Sequence, residues 1–114
     1  MEYTLAHVGI NGQNPEEAES IASLLAEIFN LQPRNGSSSF FAGNAVEVMR
    51  TPYLGRCGHI GMYTEDCEAA VKDLESRGFE VDMSTAKYRP DGTLNAVYLK
   101  REVGGFALHI VRRP

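Results

Sequence analysis

The chain has 114 residues, 43% of them hydrophobic, and a net charge of -4. This suits one domain that buries its own core without staples, and the acidic balance, with no basic stripe beyond the closing Arg112 and Arg113, argues against nucleic acid as the main partner. No segment approaches the roughly 20 apolar residues of a membrane-spanning helix, and the N-terminal stretch lacks a basic region followed by an apolar run, which predicts a cytoplasmic protein. Cys57 and Cys67 form no CxxC pair and are expected to be free thiols.

In chain order, "YTLAHVGIN" (3–11) is apolar and β-prone and predicts a strand. A helix follows, with Asn14 as N-cap, Pro15 in the first turn and Glu17 completing a capping box. Ala18, Ile21, Leu24, Leu25 and Ile28 are expected on its core face. Asn35-Gly36 predicts a hairpin turn, "SSSFFA" a strand, Gly43-Asn44 a turn and "AVEVMR" a strand.

The second half repeats the order. "GHIGMYT" predicts a strand, and residues 66–77 a helix with Ala70, Val71 and Leu74 inward and Gly78 as its stop. "FEVDM", the turn Asp91-Gly92, "NAVYLK", the turn Gly104-Gly105 and "FALHIV" complete it. The chain thus reads as one α+β domain, residues 1–114, made of two βαβββ modules at about 1–50 and 57–114. Two local echoes support the duplication: "AHVGIN" (6–11) with "GHIGMY" (58–63), and "AVEVMR" (45–50) with "ALHIVRR" (107–113).

Strand side chains alternate between faces, so His7, Glu47, His59 and His109 are expected to point away from their apolar neighbours and hence from the helices. They include every histidine of the chain. Taken singly, a His or Glu in a strand is most simply a satisfied structural group. Four of them at matching ends of two repeats can meet at one point, and three imidazoles with one carboxylate suit a divalent metal such as Zn, Ni, Fe or Co.

With these residues placed, the chain resembles the vicinal oxygen chelate superfamily, which includes glyoxalase I, methylmalonyl-CoA epimerase, extradiol dioxygenases and the fosfomycin and bleomycin resistance proteins. The resemblance runs over the whole chain and is carried by the paired modules and by "GHIGMYTEDCEAAVKDLESRGFEV". It implies a half-barrel, glyoxalase-like fold with metal ligands at His7, Glu47, His59 and His109. It also implies lyase or isomerase chemistry through a metal-stabilised enolate on a small α-hydroxycarbonyl or 2-oxo acid. Where glyoxalase I, the epimerase, the dioxygenases and the fosfomycin enzymes carry a glutamate on the last strand, this chain has His109. Glu47 is then the one ligand carboxylate available to move a proton.

The stretch "AVEVMRTPYLGRCGHIGM" is similar to small family members that occur alone or fused to keto-deoxy-phosphogluconate aldolases, which implies association with a keto-acid aldolase. Two other readings are a resistance-type ligand-binding module without chemistry and an accessory domain of such an aldolase. Tyr63, Tyr98 and Arg101, with Lys100 beside it, are candidates to hold substrate, Cys57 to edge the pocket, and Phe40, Met49 and Tyr88 to shape it. The short link of residues 51–56 makes an exchange of modules between two chains feasible and a homodimer is expected, with the modules paired either within one chain or between two.

Overall fold

The computed structural model describes residues 1–114. The elements are β1 (Thr4–Asn11), α1 (Pro15–Phe29), β2 (Pro33–Asn35), β3 (Ser39–Ala42), β4 (Val46–Met49), β5 (Gly58–Thr64), α2 (Cys67–Ser76), β6 (Val81–Tyr88), β7 (Leu94–Val103) and β8 (Phe106–Arg112). All strands join one eight-stranded sheet in the order β2-β3-β4-β1-β5-β8-β7-β6. Read from the centre outward, the first module runs 1-4-3-2 and the second 5-8-7-6. The duplication in the sequence is therefore a duplication of topology. The modules meet where β1 pairs antiparallel with β5, while the first and last strands of each module pair in parallel.

The helix ends are set locally. Asn14 accepts a hydrogen bond from the Glu17 amide at 2.8 Å, and the Glu17 carboxylate accepts one from the Gln13 amide at 3.1 Å, so one amide of the first turn and one just before the cap are satisfied by side chains. Asp66 does the same for Ala69 at 3.0 Å. Asn30, left-handed at φ 53, ends α1.

Both helices cover one face of the sheet. Under α2, Cys67, Ala70 and Leu74 join Val81, Leu94, Val97 and Ile110 in a core; under α1, Ala18 and Ala22 pack with Phe40 and Val48. Because strand side chains alternate, burying Val48, Val97 and Ile110 beneath the helices directs Glu47, Tyr98 and His109 to the opposite face.

The buried face of α1 differs from the sequence expectation. Ala18, Ala22 and Ala26 turn inward, Ile21 packs at the edge of the core, and Leu24 and Ile28 are 57% and 60% exposed. Alanine lets the helix axis come close to the sheet, and the volume against it is filled from the strands by Phe40 and Val48. Phe40 therefore belongs to this core and does not shape a pocket. Cys57 lies before β5, exposed, with its Sγ against Gly105. No helix is long and apolar enough to cross a membrane.

Candidate metal centre

Two rows of residues run across the central strands on the face away from the helices. In one, Glu47 of β4 pairs with Gly9 of β1, Gly9 with His59 of β5, and His59 with Ala107 of β8. In the other, His7 of β1 pairs with Gly61 of β5, Gly61 with His109 of β8, and His109 with Tyr98 of β7. Each repeat's glycine thus lies opposite the other repeat's histidine.

That position explains why glycine is needed. A Cβ on Gly9 would overlap the His59 ring, and one on Gly61 would lie 2.6 Å from His7 Cε1 and 2.7 Å from His109 Nε2. The imidazoles lean across the glycines toward a common point. His7 Nε2 is 3.1 Å from His59 Nε2 and 3.1 Å from His109 Nε2. Glu47 Oε1 is 3.1 Å from His59 Nε2 and 3.6 Å from His7 Nε2. Glu47 Oε2 accepts a hydrogen bond from Ser39 Oγ at 2.8 Å, which fixes the carboxylate plane.

These contacts cannot all be hydrogen bonds. A ring nitrogen carries either one proton or one lone pair, so of the contacts Glu47–His59, His59–His7 and His7–His109 at most two are well made. A cation among the four groups would let every donor atom aim a lone pair at it. The spacing suits this: the three histidine nitrogens lie within 4.8 Å of one another, and ligands about 2.0–2.1 Å from a tetrahedral centre are about 3.3 Å apart. The residues present therefore fit a divalent metal. The outer side of the site is less complete, because His59 Nδ1 and His109 Nδ1 are buried without partners, whereas ligating histidines ordinarily donate from that nitrogen to an acceptor.

Electrostatics keep His7, His109 and Glu47 in ligand form. Burial, reinforced by the neighbouring His59 and His7, pushes His109 down to about 3, against the opposing pull of Glu47. His7 is lowered by burial too, partly offset by Glu47. Burial would raise Glu47, but hydrogen bonds from His59 and Ser39 and the charges of His7 and His59 outweigh it and hold the carboxyl at about 2.

The four donors stand at the floor of a cavity of about 320 Å³ lined also by Ser38, Met49, Tyr53, Thr85, Lys87 and Tyr98. The Tyr98 ring stacks on His109, centroids 4.4 Å apart, and burial raises its phenol pKa so that it stays protonated. Of the other residues expected to hold substrate, Tyr63 lies outside the lining with Arg113 over its ring at 5.3 Å. Arg101 and Lys100 line a separate shallow depression beside Gly78. Tyr63 shares the face of His59 but lies beyond the reach of the cavity, whereas Arg101 lies within the register irregularity between Tyr98 and Glu102 and faces the end of α2. Tyr88 is exposed and takes no part. Lys87 was not anticipated, because the strand expected at "FEVDM" ends at Met83, whereas β6 runs on to Tyr88 through an irregular pairing with β7.

The architecture is a glyoxalase-like α+β fold, as expected from the sequence. No family model and no curated protein matches the chain. Solved structures do. A methylmalonyl-CoA epimerase in complex with methylmalonyl-CoA and NH4+ superposes with a TM-score of 0.68 at 13% identity, over 98% of this chain and 95% of that one. A hypothetical protein from Bacillus halodurans C-125 does so at 0.67 and 13% identity, over 100% and 96%. The Mycobacterium tuberculosis methylmalonyl-CoA epimerase matches at 0.62 and 14% identity, over 97% and 88%. At these identities the likeness establishes the fold.

Proposed function

We propose that this chain is a metal-dependent isomerase or lyase acting at the carbon beside a carbonyl in a small α-hydroxycarbonyl or 2-oxo acid. The observation that carries the reading is the convergence of His7, Glu47, His59 and His109, drawn from both modules, at the floor of one cavity. A divalent ion held by these residues would supply Lewis-acid polarisation of two adjacent substrate oxygens. Glu47 takes and returns the proton. It is ionised at neutral pH and so in the accepting state; a carboxyl held that low is a weak base, so a bound divalent ion would have to supply most of the acidity of the carbon by polarising the adjacent oxygens. Ser39 holds Glu47 in place, and Tyr98 closes the side of the site against His109 and offers a phenol toward the cavity. The fold shared with epimerases supports an isomerase-type reaction.

Glu47→Gln tests the role. Turnover of an identified substrate is expected to fall by about 100-fold or more, while metal, measured by mass spectrometry of the intact protein, stays bound at reduced affinity. Unchanged turnover removes the carboxylate from the chemistry. One observation favours the second reading, a ligand-binding module without turnover: the two partnerless Nδ1 atoms weaken support for the metal. Stoichiometric metal in the purified protein excludes it. Since one chain supplies all four donors, the expected homodimer is not needed to complete the site.

A further inference from the structure

We infer that Lys87 is the specificity residue of this cavity, and that the substrate is a small dianion whose second carboxylate or phosphate docks on its ammonium. The inference rests on the metal-chelating reading above and adds the far end of the substrate to it. Lys87 is the single lysine or arginine in the cavity lining. It has no acidic partner, whereas Arg77, Lys100, Arg112 and Arg113 are each paired with a carboxylate. The cavity's one acid, Glu47, is already engaged by His59 and Ser39. A cation at the exposed rim of the cavity, with no protein anion beside it, is positioned to meet one on the ligand as it enters.

The register gives the length of the ligand. Lys87 pairs with Ala96, and Ala96 with Val111, so this row lies two residues along the strands from the row that holds Tyr98 and His109. Two strands across and two residues along amount to roughly 12 Å between the backbones of Lys87 and His109. A lysine stem spans roughly half of that. The remainder matches a chain of four or five carbons with an anion at each end. The wall between is apolar, from Ala96 and Val111, and suits methylenes. The charge also balances: a divalent ion, ionised Glu47 and Lys87 leave two positive charges, which a dianion neutralises.

Calorimetric titration of Ni-loaded protein with 2-oxoglutarate and with 2-oxopentanoate, which has the same length but lacks the second carboxylate, is the test. The dianion is expected to bind at least tenfold more tightly. In Lys87→Met that preference is lost while 2-oxopentanoate binds as before; Lys87→Arg retains it. Lys87 is exposed and unpaired, so both variants are expected to fold, which circular dichroism checks. Equal affinities in the unsubstituted protein, or a preference that survives Lys87→Met, overturn the role of Lys87 and leave the metal reading standing. No binding of either acid to the loaded protein overturns both.

Discussion

Gly61 shows how a residue without a side chain shapes the centre. It stands between His7 and His109 in the sheet, and both rings occupy the space its Cβ would take. Gly61→Ala is therefore expected to leave secondary structure intact and to separate the two imidazoles. Metal affinity should drop by roughly 10- to 100-fold, the scale of losses seen when the support of a ligand is removed. Isothermal titration would show it, and wild-type affinity in the variant would contradict the packing argument. The pairing of histidine with glycine was legible in the sequence as a repeated "H-x-G"; what it leaves unstated is that each glycine makes room for the other module's histidine. That follows only from the antiparallel register of β1 and β5. Tyr63 and Arg101 mark the opposite limit, since strand alternation does not tell how far a cavity reaches along a face or where the register shifts.

At the scale of elements, α1 separates hydrophobic pattern from actual burial. Its caps at Asn14 and Glu17 were legible because they are local chemistry. Its buried face was not, because Ala18, Ala22 and Ala26 compete for the same helix with the larger stripe of Leu24, Leu25 and Ile28, and apolar periodicity alone favours the larger side chains. Closeness of approach decided the outcome. Ala22→Leu, at a position 3% exposed against Phe40 and Val48, is expected to cost about 1–3 kcal/mol. Leu24→Ser on the outer face should cost about 0.5 kcal/mol or less. Urea denaturation of the two variants checks the pair, and a reversed order would place the helix the other way round.

For the whole molecule, the centre is a charge-sensitive joint between modules. In the metal-free protein His109 is held at about 3 against an ordinary 6.5, so between those values the unfolded chain binds a proton that the folded chain refuses. Stability is complete above pH 6.5 and is lost as pH falls toward 3. Glu47, at about 2 against 4.5, adds a loss in the same direction from pH 4.5 downward. Together these amount to several kcal/mol by pH 3. Urea midpoints of metal-free protein across this range should fall steadily with acidification; a flat profile would show that the histidines are not buried as described.

The strand order also governs how the chain is made. Strand β1 is flanked by β4 and β5, so until Gly58–Thr64 has been synthesised it is an open edge with unpaired amides and carbonyls. The contact between His7 and His109 closes a loop of 102 positions, and such long-range pairing forms late and slowly. A nascent first module therefore leaves the ribosome with its central strand uncovered and with only His7 and Glu47 of the four converging side chains, so aggregation is the hazard of its synthesis.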